Sequence, residues 1–239
     1  MKKILLCVIL ACCNIWIMQA EEKQYLGVQL GYTQPITRLN AAIVGKETTL
    51  NATVYNGLKV GVVYDATIVK GFGFNMGLNY TFGGNHTDWA SKHTASVYPK
   101  VRSRGQYHQM ELVVDWQYKF EIAQNTWLML YTGPTLQCGL ALEDKWYIQT
   151  TPNNESYDYT ENYYDAQSVG NYALSRLNVT WGIGAGLQYE RYFLRGGYDF
   201  GLINPYKAKT FNISENYQPY TRGRFDQWQI KLGIYLWEK

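Results

Sequence analysis

Apolar and polar side chains alternate along much of the chain with a period of two residues. Between positions 72 and 82, each even-numbered residue is apolar or aromatic, and each odd-numbered residue is Gly, Asn or Thr. Successive side chains of a β-strand point to opposite faces, so this period predicts strands. The alternation, or a run of apolar residues, recurs in eight segments: residues 26–33, 58–67, 72–82, 110–120, 126–142, 179–189, 194–202 and 227–236.

The connections between these eight segments are alternately long and short. Short turns fall near 69–71, 121–125 and 190–191, whereas the long polar connections cover residues 35–54, 83–106, 143–177 and 204–223. This regularity is typical of an up-and-down barrel, and a tilted strand of roughly 9–11 residues crosses a bilayer. We therefore predict an all-β fold, an eight-stranded antiparallel up-and-down transmembrane β-barrel with short periplasmic turns and long extracellular loops.

The polar side of the strands carries small residues and charges. It holds many glycines together with four basic and four acidic side chains: Lys59, Asp65, Glu111, Asp115, Lys119, Arg195, Asp199 and Lys231. Small residues suit a narrow lumen, and buried charges need partners of opposite sign. We therefore predict that this side faces a closed polar interior and that the apolar side faces lipid. The period alone also fits a secreted soluble β-barrel whose apolar side surrounds an apolar ligand.

One of the eight segments has no clearly polar side. Segment 126–142 is apolar on both sides for part of its length, so the pattern does not assign its facing. Pro134 within it needs a position where the missing N–H does no harm.

Aromatic rings favour the bilayer interface. We expect there the aromatic residues near the short turns and the chain ends: Tyr25, Phe72, Tyr118, Phe120, Trp127, Tyr189, Tyr192 and Trp237.

The first twenty residues have the pattern of a secretory signal. Lys2 and Lys3 precede a short apolar run, and Ala20 offers a small residue for cleavage. We predict a cleaved signal peptide at 1–20 and an outer-membrane β-barrel domain at 21–239; a retained helix or a lipid on Cys12 are the alternatives. Cleavage leaves 20 basic and 19 acidic residues and a single cysteine, and therefore no intramolecular disulfide.

The composition excludes several classes of protein. Charged residues make up 17% and aromatic residues 16% of the 239 positions, with 22 Gly and 6 Pro. Disordered chains, collagen and coiled coils have other compositions. The formal net charge of +3 is small and scattered, so nucleic acid is not an expected partner.

Residues that could carry chemistry are few. His86, Asp88 and His93 lack the spacing of a metal site, and His108 falls on the lipid-facing side near a strand end. Cys138 has no charged neighbour that would activate a thiol. No serine partner motif accompanies the histidines, so we predict no catalytic residue, no metal and no cofactor. An outer-membrane lipid-modifying enzyme is the alternative that these histidines leave open.

The long connections differ in charge. Segment 143–177 has a net charge of −4, and segment 83–106 has a net charge of +3. Tyrosine-rich polar loops supply rigid contact area. One hypothesis is therefore an extracellular contact loop that contains Trp146, Tyr147, Tyr157, Tyr159, Tyr163 and Tyr164. The simpler interpretation, which we favour, is that loops of opposite charge pack together over the mouth of the barrel.

The chain resembles the small eight-stranded outer-membrane barrels of Gram-negative bacteria, and most of all the PorT-like, OmpX- and OmpA-like barrels of Bacteroidota. Five segments carry the resemblance: YLGVQLGY, GFGFNMGLNYTF, WLMLYTGPTL, VTWGIGAGLQYERYFLRGGYDFGL and WQIKLGIYLWEK. It implies residence in the bacterial outer membrane, with membrane lipid and the barrel-assembly machinery as partners. It also implies a structural, adhesive or accessory role without catalysis, and an unidentified extracellular or secretion-system protein partner.

Overall fold

The computed structural model describes residues 23–43, 46–50, 55–86, 90–91, 100–151, 154–162, 175–205 and 222–239. The described residues form eleven strands: β1 (Lys23–Ile43), β2 (Lys46–Leu50), β3 (Asn56–Val69), β4 (Phe72–His86), β5 (Ala90–Ser91), β6 (Lys100–Ala123), β7 (Thr126–Thr151), β8 (Asn154–Asn162), β9 (Leu177–Tyr189), β10 (Tyr192–Gly201) and β11 (Arg222–Glu238). Within these ranges no helix has the length and hydrophobicity needed to cross a membrane. The predicted signal peptide at 1–20 lies outside the described residues.

Eight of the strands close into a ring. Antiparallel pairing runs in the order β1–β3–β4–β6–β7–β9–β10–β11, and β11 pairs back with β1. Two backbone hydrogen bonds extend this last pairing to the chain end, from Gln24 N to Lys239 O at 3.0 Å and from Lys239 N to Gln24 O at 2.9 Å. Each strand of the ring neighbours the strand before it, which confirms the predicted eight-stranded up-and-down barrel.

Three tight turns lie at one end of the ring, together with both ends of the described chain. They are centred on Lys70–Gly71, Gln124–Asn125 and Glu190–Arg191. Lys70 and Gly71 have φ angles of 42° and 89°. A two-residue turn with positive φ at both positions has the twist that matches a β-hairpin. We call this end of the barrel the turn end, and the opposite end the loop end.

The two sides of the strands face different surroundings. Leu30, Leu78 and Ile183 point outward and are 47–58% exposed, and most other apolar positions of the alternating pattern are also exposed. The intervening polar positions point into the lumen and are buried. An apolar exterior around a polar lumen is the arrangement of a membrane barrel, and it is the reverse of a soluble barrel that encloses an apolar ligand.

The structure shows which side chains of segment 126–142 face the lumen and which face outward. Met129 and Tyr131 point into the lumen, whereas Leu130 and Leu136 point outward. The sequence pattern could not assign it because both sides carry apolar residues. Pro134 pairs with Trp181 of β9. On the β6 side the register passes from Val113–Thr135 to Trp116–Thr132 without pairing Pro134, so its missing N–H removes no ladder hydrogen bond there.

The long connections are more ordered than the sequence predicts. At the loop end β6 and β7 continue pairing as far as Lys100 and Gln149, and β8 adds a third strand beside β7. Strands β2 and β5 likewise extend the pairing of β1 and β6. We expected polar loops at 35–54, 83–106 and 143–177; much of each forms strands instead. We call the paired residues 100–106 of β6, 143–151 of β7 and 154–162 of β8 the ribbon.

Candidate functional site

All eight predicted interior charges lie inside the barrel, and none is more than 9% exposed. They comprise Lys59, Asp65, Glu111, Asp115, Lys119, Arg195, Asp199 and Lys231. The ring brings them together from four different strands, β3, β6, β10 and β11, so they become neighbours only when the barrel closes. A buried charge is stable only with a partner of opposite sign or with hydrogen bonds, and the interior supplies both.

Lys59 and Glu111 form a fully buried ion pair within a hydrogen-bond network. The Lys59 Nζ lies 2.5 Å from Glu111 Oε2 and donates a second hydrogen bond to Gln229 Oε1 at 2.6 Å. The other carboxylate oxygen, Glu111 Oε1, accepts from Gln109 Nε2 at 2.8 Å and from Gln227 Nε2 at 3.1 Å. Both charges are therefore embedded in a network of amide side chains.

Asp199 joins the same network from β10. Its Oδ2 accepts hydrogen bonds from Gln227 Nε2 at 2.7 Å and from Gln229 Nε2 at 2.9 Å. The two glutamines thus bridge Asp199 to Glu111 and Lys59. Glutamine can donate and accept at once, which suits it to linking charged groups inside a lumen.

A second ion pair lies nearer the turn end. Lys119 Nζ lies 2.7 Å from Asp65 Oδ1 and 3.0 Å from Gln188 Oε1. Tyr235 donates its hydroxyl to Asp65 Oδ2 at 2.9 Å, and the Lys119 ammonium lies 5.1 Å from the centre of the Tyr25 ring. An ammonium over an aromatic face is attracted by the ring as well as by its carboxylate.

Arg195 occupies the middle of the lumen from β10. Its guanidinium lies 4.6 Å from the centre of the Tyr131 ring and donates to Gln117, while its Nη1 is 4.0 Å from Asp115 Oδ2. Lys231 is its direct cross-strand partner on β11. Asp115 is close enough to act electrostatically on both cations. At this level of the lumen one carboxylate therefore lies near two cations.

Two aromatic clusters fill the lumen toward its two ends, and the rings of the turn-end cluster also contact the Lys119–Asp65 pair. Near the turn end the lumen is filled by Tyr25, Val63, Met129, Phe193 and Tyr235. Near the loop end it is filled by Tyr55, Tyr107, Leu142 and Phe225. One expectation was wrong here: Tyr25 is 5% exposed and lies in the lumen rather than at the bilayer interface. It packs against the Tyr235 ring, with the ring centres 4.7 Å apart.

The residues weighed for catalysis or metal binding do not come together. His108 faces outward, and its Nδ1 lies 2.7 Å from the Tyr80 hydroxyl. Cys138 is a half-buried free thiol. Asp88 and His93 lie outside the described residues, and His86 ends β4. Among the side chains that the structure describes, no group of three or more His, Cys, Asp or Glu could hold a metal ion.

One buried charge escaped the sequence analysis. Asp226 has an outward-facing position on β11, between the inward-facing Phe225 and Gln227, yet it is fully buried. Its carboxylate accepts from the Gly201 backbone N–H at 2.9 Å and from Arg224 Nε at 2.9 Å. The Arg224 two positions earlier was the available signal, because residues two apart on a strand share a face.

The predicted contact loop lies partly within the ribbon. Trp146 and Tyr147 are on β7, Tyr157 and Tyr159 are on β8, and Tyr163 and Tyr164 lie outside the described residues. Arg102 of β6 forms an ion pair with Glu155 of β8. The guanidinium groups of Arg102 and Arg104 lie 5.1 and 5.6 Å from the centre of the Tyr147 ring. The basic and acidic segments therefore do contact each other.

The ring, the apolar exterior and the buried charged lumen define the class of this protein: it is a small outer-membrane β-barrel. The chain belongs to the family described as outer membrane protein beta-barrel domain, which matches residues 19–206. The protein therefore resides in the bacterial outer membrane. This residence removes the secreted soluble barrel from consideration. No curated protein matches the sequence.

Three solved structures are similar in fold. Ail, the attachment invasion locus protein of Yersinia pestis, is 10% identical with a TM-score of 0.37, and the match covers 90% of this chain and 99% of that one. Neisserial surface protein A is 9% identical, with a TM-score of 0.34 and coverage of 87% and 97%. The translocator domain of NalP from Neisseria meningitidis is 9% identical, with a TM-score of 0.35 and coverage of 88% of each chain. At these values no functional argument rests on them.

Proposed function

We propose that this protein is a closed, non-conducting outer-membrane barrel without catalytic activity, and that its work is done by the ribbon and loops at its loop end. The burial of the interior charges carries the proposal. Lys59, Glu111 and Arg195 are at most 1% exposed. In a water-filled channel such side chains would contact solvent, whereas here they contact one another, amide groups and aromatic rings.

The width of the ring and the filling of its ends support the same proposal. Eight strands enclose a lumen that side chains can fill. The cluster around Phe193 and Tyr235 fills it toward the turn end, and the cluster around Tyr107 and Phe225 fills it toward the loop end. Ions would have to displace one aromatic cluster, cross the paired charges, and displace the second.

We further propose that the turn end is periplasmic and the loop end extracellular. In outer-membrane barrels the short turns face the periplasm and the longer segments face outside. The role is then structural, adhesive or accessory, as the PorT-like resemblance implies, with membrane lipid and the assembly machinery as partners. The partner of the aromatic contact loop would be an extracellular or secretion-system protein.

Conductance in a planar lipid bilayer tests the closed lumen. The refolded wild-type chain is expected to give no stable channel events. The double variant Phe193→Ala/Tyr235→Ala truncates two of the five side chains of the turn-end cluster, and Tyr189→Ala/Tyr192→Ala is the matched control because these rings lie outside the lumen. Neither is expected to conduct, since the charged layer and the loop-end cluster remain. Regular wild-type channel events would contradict the proposal.

Protease treatment of intact cells tests the orientation. Extracellular protease is expected to cut within residues 143–177 and to spare the turns at 70–71 and 190–191. Cleavage confined to the turns would reverse the topology. The contact loop is tested separately by comparing cell adhesion of the wild type with that of Trp146→Ala/Tyr147→Ala. Unchanged adhesion would leave the structural role as the better account.

A further inference from the structure

Two basic side chains face each other across the ribbon. Arg104 of β6 and Lys145 of β7 are direct cross-strand partners. Side chains of directly opposed residues lie on the same face with their Cβ atoms roughly 4.5–5.5 Å apart, and like charges in this arrangement destabilise a sheet. Such a pair is stabilised when an anion lies between the two cations. The neighbouring basic residue Arg102 lies on the same face, two positions along β6.

This face of the ribbon is the continuation of the lipid-facing side of the barrel. Ser103 and Tyr107 alternate with Arg104 on β6 and are buried, at 3% and 0% exposure, whereas Arg104 is exposed. Arg104 therefore lies on the side that carries His108 and Met110 further down the same strand. The cations stand outside the barrel wall, above the apolar band, and not over the mouth of the lumen.

The height of the pair places it at the membrane surface. The last apolar outward residue of β6 is Met110, and His108 follows with its hydrogen bond to Tyr80. His108 pairs with the outward apolar Phe82 of β4, so the apolar exterior reaches the level of His108. Arg104 is two outward positions beyond His108, which is about 13 Å along a strand and about 10 Å along the membrane normal at the tilt of a small barrel. The polar head-group zone is about 5–8 Å thick on each side of a bilayer. A long basic side chain reaches back across the remaining distance.

The surroundings favour an anion over other occupants. Tyr147 holds Arg104 and Arg102 over its ring. Arg102 forms an ion pair with Glu155, whereas Arg104 and Lys145 face each other directly. By pairing register, the outward positions of the ribbon carry four bases and two acids: Lys100, Arg102, Arg104 and Lys145 against Glu143 and Glu155. Arginine binds phosphate through two parallel N–H donors, and lysine adds a point charge.

We propose that the Arg104–Lys145 pair binds the phosphate group of a lipid in the outer leaflet, with Tyr147 orienting the guanidinium. The phosphate lies between the two cations and accepts hydrogen bonds from Arg104 and Lys145. The lipid chain extends along the apolar exterior of β6 and β7. The inference rests on membrane residence and on the loop end facing outward, but not on the closure of the lumen.

Native mass spectrometry of the full chain, released from micelles that contain diphosphoryl lipid A, tests the proposal. The wild type is expected to retain the lipid, and Arg104→Gln/Lys145→Gln to lose retention by about tenfold or more, since a hydrogen bond to a charged group contributes about 1.5–3 kcal/mol. Lys70→Gln/Arg191→Gln is the matched control: it removes two cations at the exposed turns and is expected to retain the lipid. Heat-modifiable migration in gels confirms that each variant is folded.

Three results would overturn the proposal. The first is equal retention by the ribbon variant, or an equal loss in the turn-end control, which would mean that only net charge matters. The second is equal retention of the same lipid after removal of its phosphates. The third is displacement of the lipid by millimolar inorganic phosphate, which would indicate a site for a free anion. If the double variant does not fold, Arg104→Gln alone gives the same comparison. Channel events in the conductance assay leave this inference untouched.

Discussion

The buried pair of Lys59 and Glu111 makes the energetics of the lumen measurable. Lys59→Met keeps the length of the side chain and removes its charge. It leaves Glu111 buried, with only the amide donors of Gln109 and Gln227. Glu111→Gln keeps the shape and leaves Lys59 with neutral acceptors, the Gln229 side-chain oxygen and the oxygen of the new amide. Each single variant therefore leaves one buried charge without its partner of opposite sign.

The expected magnitude follows from the geometry. At an effective dielectric constant of about 20, unit charges separated by the 2.5 Å between Lys59 Nζ and Glu111 Oε2 attract each other by about 7 kcal/mol. Desolvation of the two ions costs several kcal/mol each and offsets most of this attraction. Removing one partner leaves the desolvation cost of the other, so we expect each single variant to lose about 3–5 kcal/mol of unfolding free energy.

The double variant distinguishes pairing from simple loss of volume. Lys59→Met/Glu111→Gln is expected to be more stable than the sum of the single effects predicts, by about 1–3 kcal/mol. The assay is reversible urea unfolding in detergent micelles, followed by tryptophan fluorescence. Lys70→Met at an exposed turn is the control and is expected to change stability by less than about 0.5 kcal/mol. Single effects below about 1 kcal/mol, or strict additivity, would refute this account.

Three further predictions concern the wall and the ribbon. Gly133→Ala is expected to abolish folding, measured by heat-modifiable migration, because the added methyl would overlap the Val114 carbonyl oxygen. The control Gly77→Ala should fold, because the nearest atom to its methyl would be 3.5 Å away. Equal folding of the two variants would contradict this prediction. Glu155→Gln should lower the free energy of unfolding by less than about 1 kcal/mol, because the Glu155 side chain is exposed and water screens its ion pair with Arg102. Thr132→Val should cost about 1 kcal/mol in the same assay, since Trp181 Nε1 donates to its hydroxyl at 2.8 Å; an unchanged midpoint would show that the bond contributes nothing.

The barrel itself was predictable because its signals are local. Alternation fixes which residues share a face, and tight turns such as Lys70–Gly71 mark where a strand reverses. Segment 126–142 resisted assignment for a physical reason: Met129 and Tyr131 belong to an apolar part of the lumen, so both sides of the strand are apolar. A rule that equates the lumen with polarity fails wherever aromatic residues fill it.

The ribbon and Asp226 show the other limits. Above the membrane both sides of a strand can be polar, so the alternation disappears although the pairing continues from Gln106 to Lys100 on β6. Asp226 is buried by Tyr198 and Gly201 of the adjacent strand β10 and by Arg224, two positions earlier on its own strand. The alternating pattern predicts toward which side of the sheet a side chain points. It does not predict whether side chains of neighbouring strands bury that side chain.

The pairing of the first and last strands bears on how the protein is made. Across it, Tyr235 donates to Asp65 and Lys59 donates to Gln229, contacts that join residues 170 positions apart. The hairpins can zip from their turns, because their partners are close in sequence, but these contacts must wait until the whole chain has been synthesised and delivered. Closing the ring is therefore expected to be the slow, final event of biogenesis, and a chain truncated before β11 should accumulate as an open sheet vulnerable to periplasmic proteases.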